Sequence, residues 1–133
     1  MDKFFKYALA AIALAGFSSA AHAETINKTV SAGKTSYIYD LALKNSQACR
    51  GGAFPKVRLT QPSHGKLISK RLKYIPPKGK PCAGNTFYYS VIYYTPNRGF
   101  RGKDVAKFSF SYPRYTNDTG HSGRRVIANI TVK

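Results

Sequence analysis

Downstream of Ala23 the chain alternates apolar and polar residues in short runs separated by Gly, Pro and Asn, and no run repeats at the period of a helix. Thr25 to Val30 reads as a first strand, with Lys28 keeping an edge soluble. Tyr37, Tyr39, Leu41 and Leu43 alternate with Ile38, Asp40, Ala42 and Lys44, which directs one face at a core. Asn45 to Gly52 reads as a loop. Val57 and Leu59 then alternate with Lys56, Arg58 and Thr60, predicting a short strand with a basic outer face, and Lys66 to Tyr74 predicts another strand. Phe87 to Thr95 is the most apolar stretch, with apolar side chains on both parities. It is either covered on both sides or covered on one, with an exposed aromatic row on the other. Ala106, Phe108, Phe110 and Tyr112 alternate with Lys107, Ser109 and Ser111. Val126, Ala128, Ile130 and Val132 do the same with Arg125, Ile127, Asn129 and Thr131.

The punctuation between these runs is specific. Pro62-Ser63-His64-Gly65 predicts a turn, because proline fixes φ and glycine accepts a positive φ, so His64 is expected to be a turn residue. Pro96-Asn97-Arg98-Gly99 is a second turn, and Asp104 is expected to hydrogen-bond the backbone of the Gly99 to Gly102 segment. Gly33-Lys34-Thr35 lacks the first glycine and the strand–loop–helix context of a phosphate-binding loop. Short strands joined by such turns predict an all-β fold, an antiparallel β-sandwich of about seven strands.

Tyr94-Thr95-Pro96-Asn97, Gly99-Phe100, Gly102 and Asp104, with Pro62-Ser63-His64-Gly65 some thirty residues earlier, carry a resemblance. The chain from about Val57 to Val132 resembles the Ig-like and cadherin-like repeats of bacterial surface and exported proteins, here in a single copy. The resemblance implies a small Ig-like sandwich acting as an adhesive or structural module, with no shared catalytic centre. It also places Ile92 and Tyr94 inward and Tyr89, Val91 and Tyr93 outward. The acidic turn usual after the last aromatic strand of such repeats is replaced by Pro113 to Gly120, which weakens a calcium-binding inference.

Residues 1–23 read as a secretory signal peptide: Lys3 and Lys6, the apolar run Ala8 to Phe17, and Ser18-Ser19-Ala20-Ala21-His22-Ala23 ending in an Ala-x-Ala pattern. Cleavage is expected after Ala23, which leaves one domain over 24–133 with no transmembrane segment. The apolar run is about half the roughly 20 residues a membrane span needs. The expected location is therefore the periplasm or outside the cell. In such an oxidising compartment Cys49 and Cys82 are most simply one disulfide. They lack Cys-x-x-Cys spacing, and His64 and His121 lie at no ligand spacing from them, so neither a redox pair nor a metal site is expected.

Charge changes the picture most. The chain carries 22 basic and 5 acidic residues, and removing Lys3, Lys6 and Asp2 leaves 20 against 4, about +16. A field of that size attracts polyanions. Lys66, Lys70, Arg71, Lys73, Lys78 and Lys80 form the densest basic tract, its last part in a proline-rich loop held by Cys82. Arg98, Arg101, Lys103, Arg114, Arg124 and Arg125 extend the candidate polyanion-binding set. Tyr89, Tyr93 and Tyr115 are the candidate aromatic face, able to stack on sugar rings while nearby cations hold acidic groups.

Local paired carboxylates and nucleophile motifs are missing, so no catalytic residue, cofactor or metal is expected. The first reading is an exported, non-catalytic binding module for an anionic envelope or host polymer: lipopolysaccharide, acidic polysaccharide or glycosaminoglycan. The alternative is a structural periplasmic or envelope protein that holds another protein through an edge strand or the exposed aromatic face. Arg98-Gly99-Phe100-Arg101-Gly102 is a single Arg-Gly segment in a turn, and export makes nucleic acid an unlikely partner.

Overall fold

A computed structural model describes residues 23–45, 47–52, 54–113 and 121–133. Of the signal peptide expected over residues 1–23, residues 1–22 fall outside them, and Ala23 is the first residue of the first strand. Nine strands and no helix occur among the described residues. They are β1 (Ala23–Val30), β2 (Ser36–Ala42), β3 (Lys44–Asn45), β4 (Arg50–Gly51), β5 (Lys56–Thr60), β6 (Gly65–Tyr74), β7 (Phe87–Pro96), β8 (Gly102–Pro113) and β9 (His121–Val132). A four-stranded sheet in the order β1-β9-β8-β5 faces a three-stranded sheet in the order β2-β7-β6. The ribbon β3-β4 begins at Lys44 and otherwise lies in the stretch, Asn45 to Gly52, expected to be a loop. The architecture is the all-β sandwich that the alternation predicts. Its pairing is antiparallel with one exception, since β1 runs parallel to β9 from Ala23 beside Arg125 to Val30 beside Val132. Two backbone bonds, Ala32 N to Lys133 O and Lys133 N to Val30 O, tie off that pair.

Strand parity fills the space between the sheets. From β8 and β9, Ala106, Phe108, Phe110, Val126, Ala128, Ile130 and Val132 are buried, and Ile38, Leu67, Ile92 and Tyr94 meet them from the opposite sheet. Each large apolar side chain removed from water this way contributes roughly 1.5–3 kcal/mol before entropy is counted. On β2 the strict alternation fails. A bulge between Tyr37 and Tyr39 shifts the register, so Tyr37 lies opposite Tyr93 and Tyr39 opposite Ile92. Ile38 is buried, Tyr39 packs against Phe108 and Phe110, and Tyr37 is thrown to solvent. The expectation that Tyr37 shares a core face with Tyr39 is thereby corrected.

The two turns singled out in the sequence meet at one end of the sandwich. Asn97 N–H donates to His64 O at 2.8 Å, Phe100 N–H to Asn97 O at 3.0 Å, and the rings of His64 and Phe100 stack at 4.3 Å. His64 is the turn residue expected. Asp104 corrects an expectation. It faces inward, 4% exposed, and accepts from the Tyr94 hydroxyl, from His64 N–H and from its own neighbour Val105 N–H, with none of these bonds going to the Gly99 to Gly102 backbone.

Candidate functional site: two cationic sheet faces

Cys49 and Cys82 form the expected disulfide, with Cα atoms 5.3 Å apart, at the end of the sandwich opposite the His64 turn. It anchors the loop from Ile75 to Thr86, which carries exposed Lys78 and Lys80. The structure then distributes the remaining basic residues by strand parity.

On β6 the tract splits. Lys66, Ile68, Lys70, Leu72 and Tyr74 face outward, while Leu67, Ser69, Arg71 and Lys73 take the other side. Lys70 lies over the Tyr93 ring at 5.4 Å. Arg71 lies over Phe54 at 5.0 Å and Lys73 over Tyr88 at 5.8 Å, where Phe54 and Tyr88 meet edge to face. Lys70, Arg71 and Lys73 are neighbours in sequence but serve opposite faces.

The outer face of the three-stranded sheet is aromatic and cationic. Tyr93 and Tyr89 lie on it and are half-buried, where an exposed row was expected. Val91, expected outward between them, is only 6% exposed, with Asp40 and Lys70 as its cross-strand neighbours. Cations reach over the rings from the flanks: Lys28 over Tyr37 at 5.9 Å, and Lys44 over Tyr89 at 5.7 Å and Phe87 at 5.9 Å. Lys44 also donates to the Tyr89 hydroxyl at 3.3 Å. A hollow of about 230 Å³ opens beside this group, lined by Lys44, Tyr74, Pro76, Lys80, Phe87 and Tyr89. Partial burial, then Asp40, holds the Tyr37 phenol above its usual range. At neutral pH the Tyr37 ring is therefore a neutral platform for stacking.

The outer face of the four-stranded sheet is different in kind. Lys56 and Arg58 from β5, Lys103 and Lys107 from β8 and Arg125 from β9 all point away from the core, among Ser109, Ser111, Thr60 and Thr131. Only Lys103 and Arg125 belong to the set chosen from the sequence. Lys56, Arg58 and Lys107 were visible there as the polar parity of two strands. What brings them together is the pairing of β5 with β8, which composition does not reveal.

Other candidates lie elsewhere. Arg124 faces the sandwich edge, where its Nη1 donates to the Tyr39 hydroxyl at 3.1 Å, and Tyr39 in turn donates to Glu24 at 2.9 Å. That contact raises the Arg124 pKa, while burial raises that of Tyr39. Arg98 and Arg101 are exposed in the turn beside Phe100, at the end away from Lys78 and Lys80. Arg114 and Tyr115 lie outside the described residues. Among the described residues no cluster of three His, Cys, Asp or Glu side chains could hold a metal. No described helix is long and apolar enough to cross a membrane.

No protein-family model and no curated protein matches the chain. The solution structure of Amebosin is similar to it at 13% sequence identity and a TM-score of 0.41, with 84% of this chain and 99% of that chain covered.

Proposed function

We propose that the protein is an exported, non-catalytic binding module that contacts an anionic polymer of the cell envelope or of a host surface. One observation carries the reading: among the described residues the surface is crowded with bases and holds only two acids. Of the three acidic residues among those described, Asp104 is buried in hydrogen bonds, leaving exposed Glu24, which accepts from Tyr39, and exposed Asp40 against two sheet faces of lysine and arginine. Surface bases without acidic neighbours project an unscreened positive field toward a polyanion. The tyrosines beneath Lys70, Lys28 and Lys44 add flat apolar area on which sugar rings stack. The disulfide agrees with an oxidising compartment. The Ig-like and cadherin-like resemblance supplies the expectation of a module without catalysis.

Retention of the purified protein on lipopolysaccharide, dextran sulfate, alginate and DNA is the test, read as the salt concentration that releases it. Retention on one polymer well beyond the others is the expected result. Release from all four at the same modest salt would reduce the charge to generic attraction and defeat the proposal.

A second reading has its own support. Tyr37, Leu72, Tyr74 and Ile75 are 49%, 43%, 47% and 57% exposed, and they gather on the three-stranded sheet and the loop that continues it. An apolar group of that kind suits a protein partner, whose binding would be insensitive to moderate salt and would be lost on Tyr89→Ala with Tyr93→Ala.

A further inference from the structure

The outer face of the four-stranded sheet holds a hollow of about 390 Å³ with Arg58, Lys107 and Arg125 on its rim and Ser109 in its floor. A second, of about 450 Å³, adjoins it through Arg58 and Ser109 and ends at Lys56 and Ser111. The register explains both. Ser109 on the inner strand β8 lies directly opposite Arg58 on one side and Arg125 on the other. Two strand spacings separate the arginines, so their backbones stand about 10 Å apart. Lys107, one step of the same face along β8, is diagonal to both at about 7–8 Å. A short side chain thus sits at the centre of a triangle of three long cations.

Such a triangle is costly to the fold. Like charges on adjacent strands repel, and an acid at the central position would relieve them, yet that position is serine. None of Glu24, Asp40 and Asp104, the acids among the described residues, lies on this face. Glu24 is bonded to Tyr39, Asp40 is on the other sheet and Asp104 is in the core. The side chains are long enough to converge on one group above Ser109. Two guanidinium forks, an ammonium and a hydroxyl donor suit an anion with three or four oxygens pointing in different directions better than a planar carboxylate. We infer that this hollow is an oxyanion subsite that takes the ester sulfate or ester phosphate groups of the anionic polymer, with Arg58, Lys107 and Arg125 as its ligands and Ser109 as its floor. The inference rests on the polymer-binding reading and commits it to one face and one chemistry. Lys56, over the adjoining hollow, stands ready for the next group along the chain.

Two double variants that remove the same charge separate the faces: Arg58→Gln with Lys107→Gln on this sheet, and Lys44→Gln with Lys70→Gln on the other. Titration calorimetry with dextran sulfate, polyphosphate and alginate gives the affinities. The first variant is expected to lose on the order of tenfold or more on dextran sulfate or polyphosphate, the second far less. Alginate, carrying only carboxylates, should bind the parent protein more weakly than both. Whichever of the first two binds tighter names the ester. Equal losses in the two variants, or a preference for alginate, would overturn the subsite and leave polymer binding standing. Failure of the unaltered protein to bind any of the three would remove the broader proposal instead. Ser109→Asp gives an independent readout, since its carboxylate would occupy the triangle: melting temperature should rise while sulfate and phosphate binding disappears. A lower melting temperature with binding retained would also count against the site.

Discussion

The Tyr94 hydroxyl donates to Oδ2 of Asp104 at 2.7 Å, joining the central strand of the three-stranded sheet to an inner strand of the four-stranded sheet inside the core. His64 N–H converges on the same oxygen at 3.2 Å, so one carboxylate holds together β7, β8 and the turn before β6. Hydrogen bonds to a charged group contribute about 1.5–3 kcal/mol each, and removing the acceptor leaves its donors buried. Tyr94→Phe should therefore lower unfolding free energy by about 2 kcal/mol, and Asp104→Ala by more. Urea denaturation measures both. Equal, near-zero changes would show that the bond is incidental to stability.

The same contact makes stability depend on alkaline pH. Burial first, and then Asp104, raises the Tyr94 pKa well above its unfolded value of about 10. The native state keeps a proton that the unfolded chain begins to release near pH 10. Tyr94 therefore contributes its full stability below that point and loses it progressively as pH rises towards the folded pKa. Lysines titrate in the same range, so the useful quantity is the gap in denaturation midpoint between the parent protein and Tyr94→Phe. It should be constant from pH 7 to 9 and shrink above pH 10.

Gly65 lies under the Tyr94 ring. A Cβ placed there would stand 2.4 Å from the ring and 2.7 Å from the carbonyl oxygen of Thr95. Relief requires moving the ring that reaches Asp104, so Gly65→Ala should destabilise by about 3 kcal/mol or disturb tertiary packing. Gly79 is the control. Its φ is +92° but nothing lies within 4 Å, so Gly79→Ala should cost only the backbone term, roughly 1–2 kcal/mol. Thermal melts with near-ultraviolet circular dichroism compare the two.

These contacts show how far the sequence could be read. Alternation in Ala106 to Tyr112 and Val126 to Val132 was enough to assign β8, β9 and their core faces, because long hairpin strands with one buried side keep a strict period. Pro62 to Gly65 and Pro96 to Gly99 were legible as turns from residue type, although only Gly99 takes the positive φ expected of such a glycine and Gly65 instead opens β6. That they dock on each other through Asp104 was not, since an acid near a turn has many local partners and only the folded chain brings Tyr94 within reach. The bulge at Ile38 was hidden for a similar reason: apolar residues occupy both parities there. The cationic triangle depends on Ser109 facing Arg58 and Arg125 across two pairings. A run such as Lys70-Arg71-Lys73 draws the eye in sequence, although a strand sends its members to opposite sides.

Ser90 is fully buried on β7, between Leu41 and Arg71 in register, and its hydroxyl has no hydrogen-bond partner. A hydroxyl desolvated without a partner costs roughly 1–3 kcal/mol. Ser90→Ala should raise stability by about 1 kcal/mol, whereas Ser90→Leu should lower it by overfilling the space. Denaturant midpoints at unchanged m-value would establish the gain, and a clear loss in Ser90→Ala would mean that the hydroxyl has a partner after all.

The disulfide allows the cross-link to be separated from the backbone that carries it. Cys49 and Cys82 both have positive φ, 51° and 59°, a region that costs a residue with a Cβ about 1–3 kcal/mol and glycine almost nothing. Their closed loop spans a sequence separation of 33, worth roughly 3–4 kcal/mol in the chain-entropy account. Replacing both cysteines by alanine removes the link and keeps the backbone cost, while replacing both by glycine removes the link and relieves it. Glycine also makes the unfolded chain more flexible, which takes back about 1 kcal/mol at each site. The glycine pair should thus be as stable as the alanine pair or somewhat more so, with both well below the parent. If the glycine pair falls far below the alanine pair, the two positions abandon positive φ once the bond is gone, and the disulfide itself imposes that conformation on the loop carrying Lys78 and Lys80.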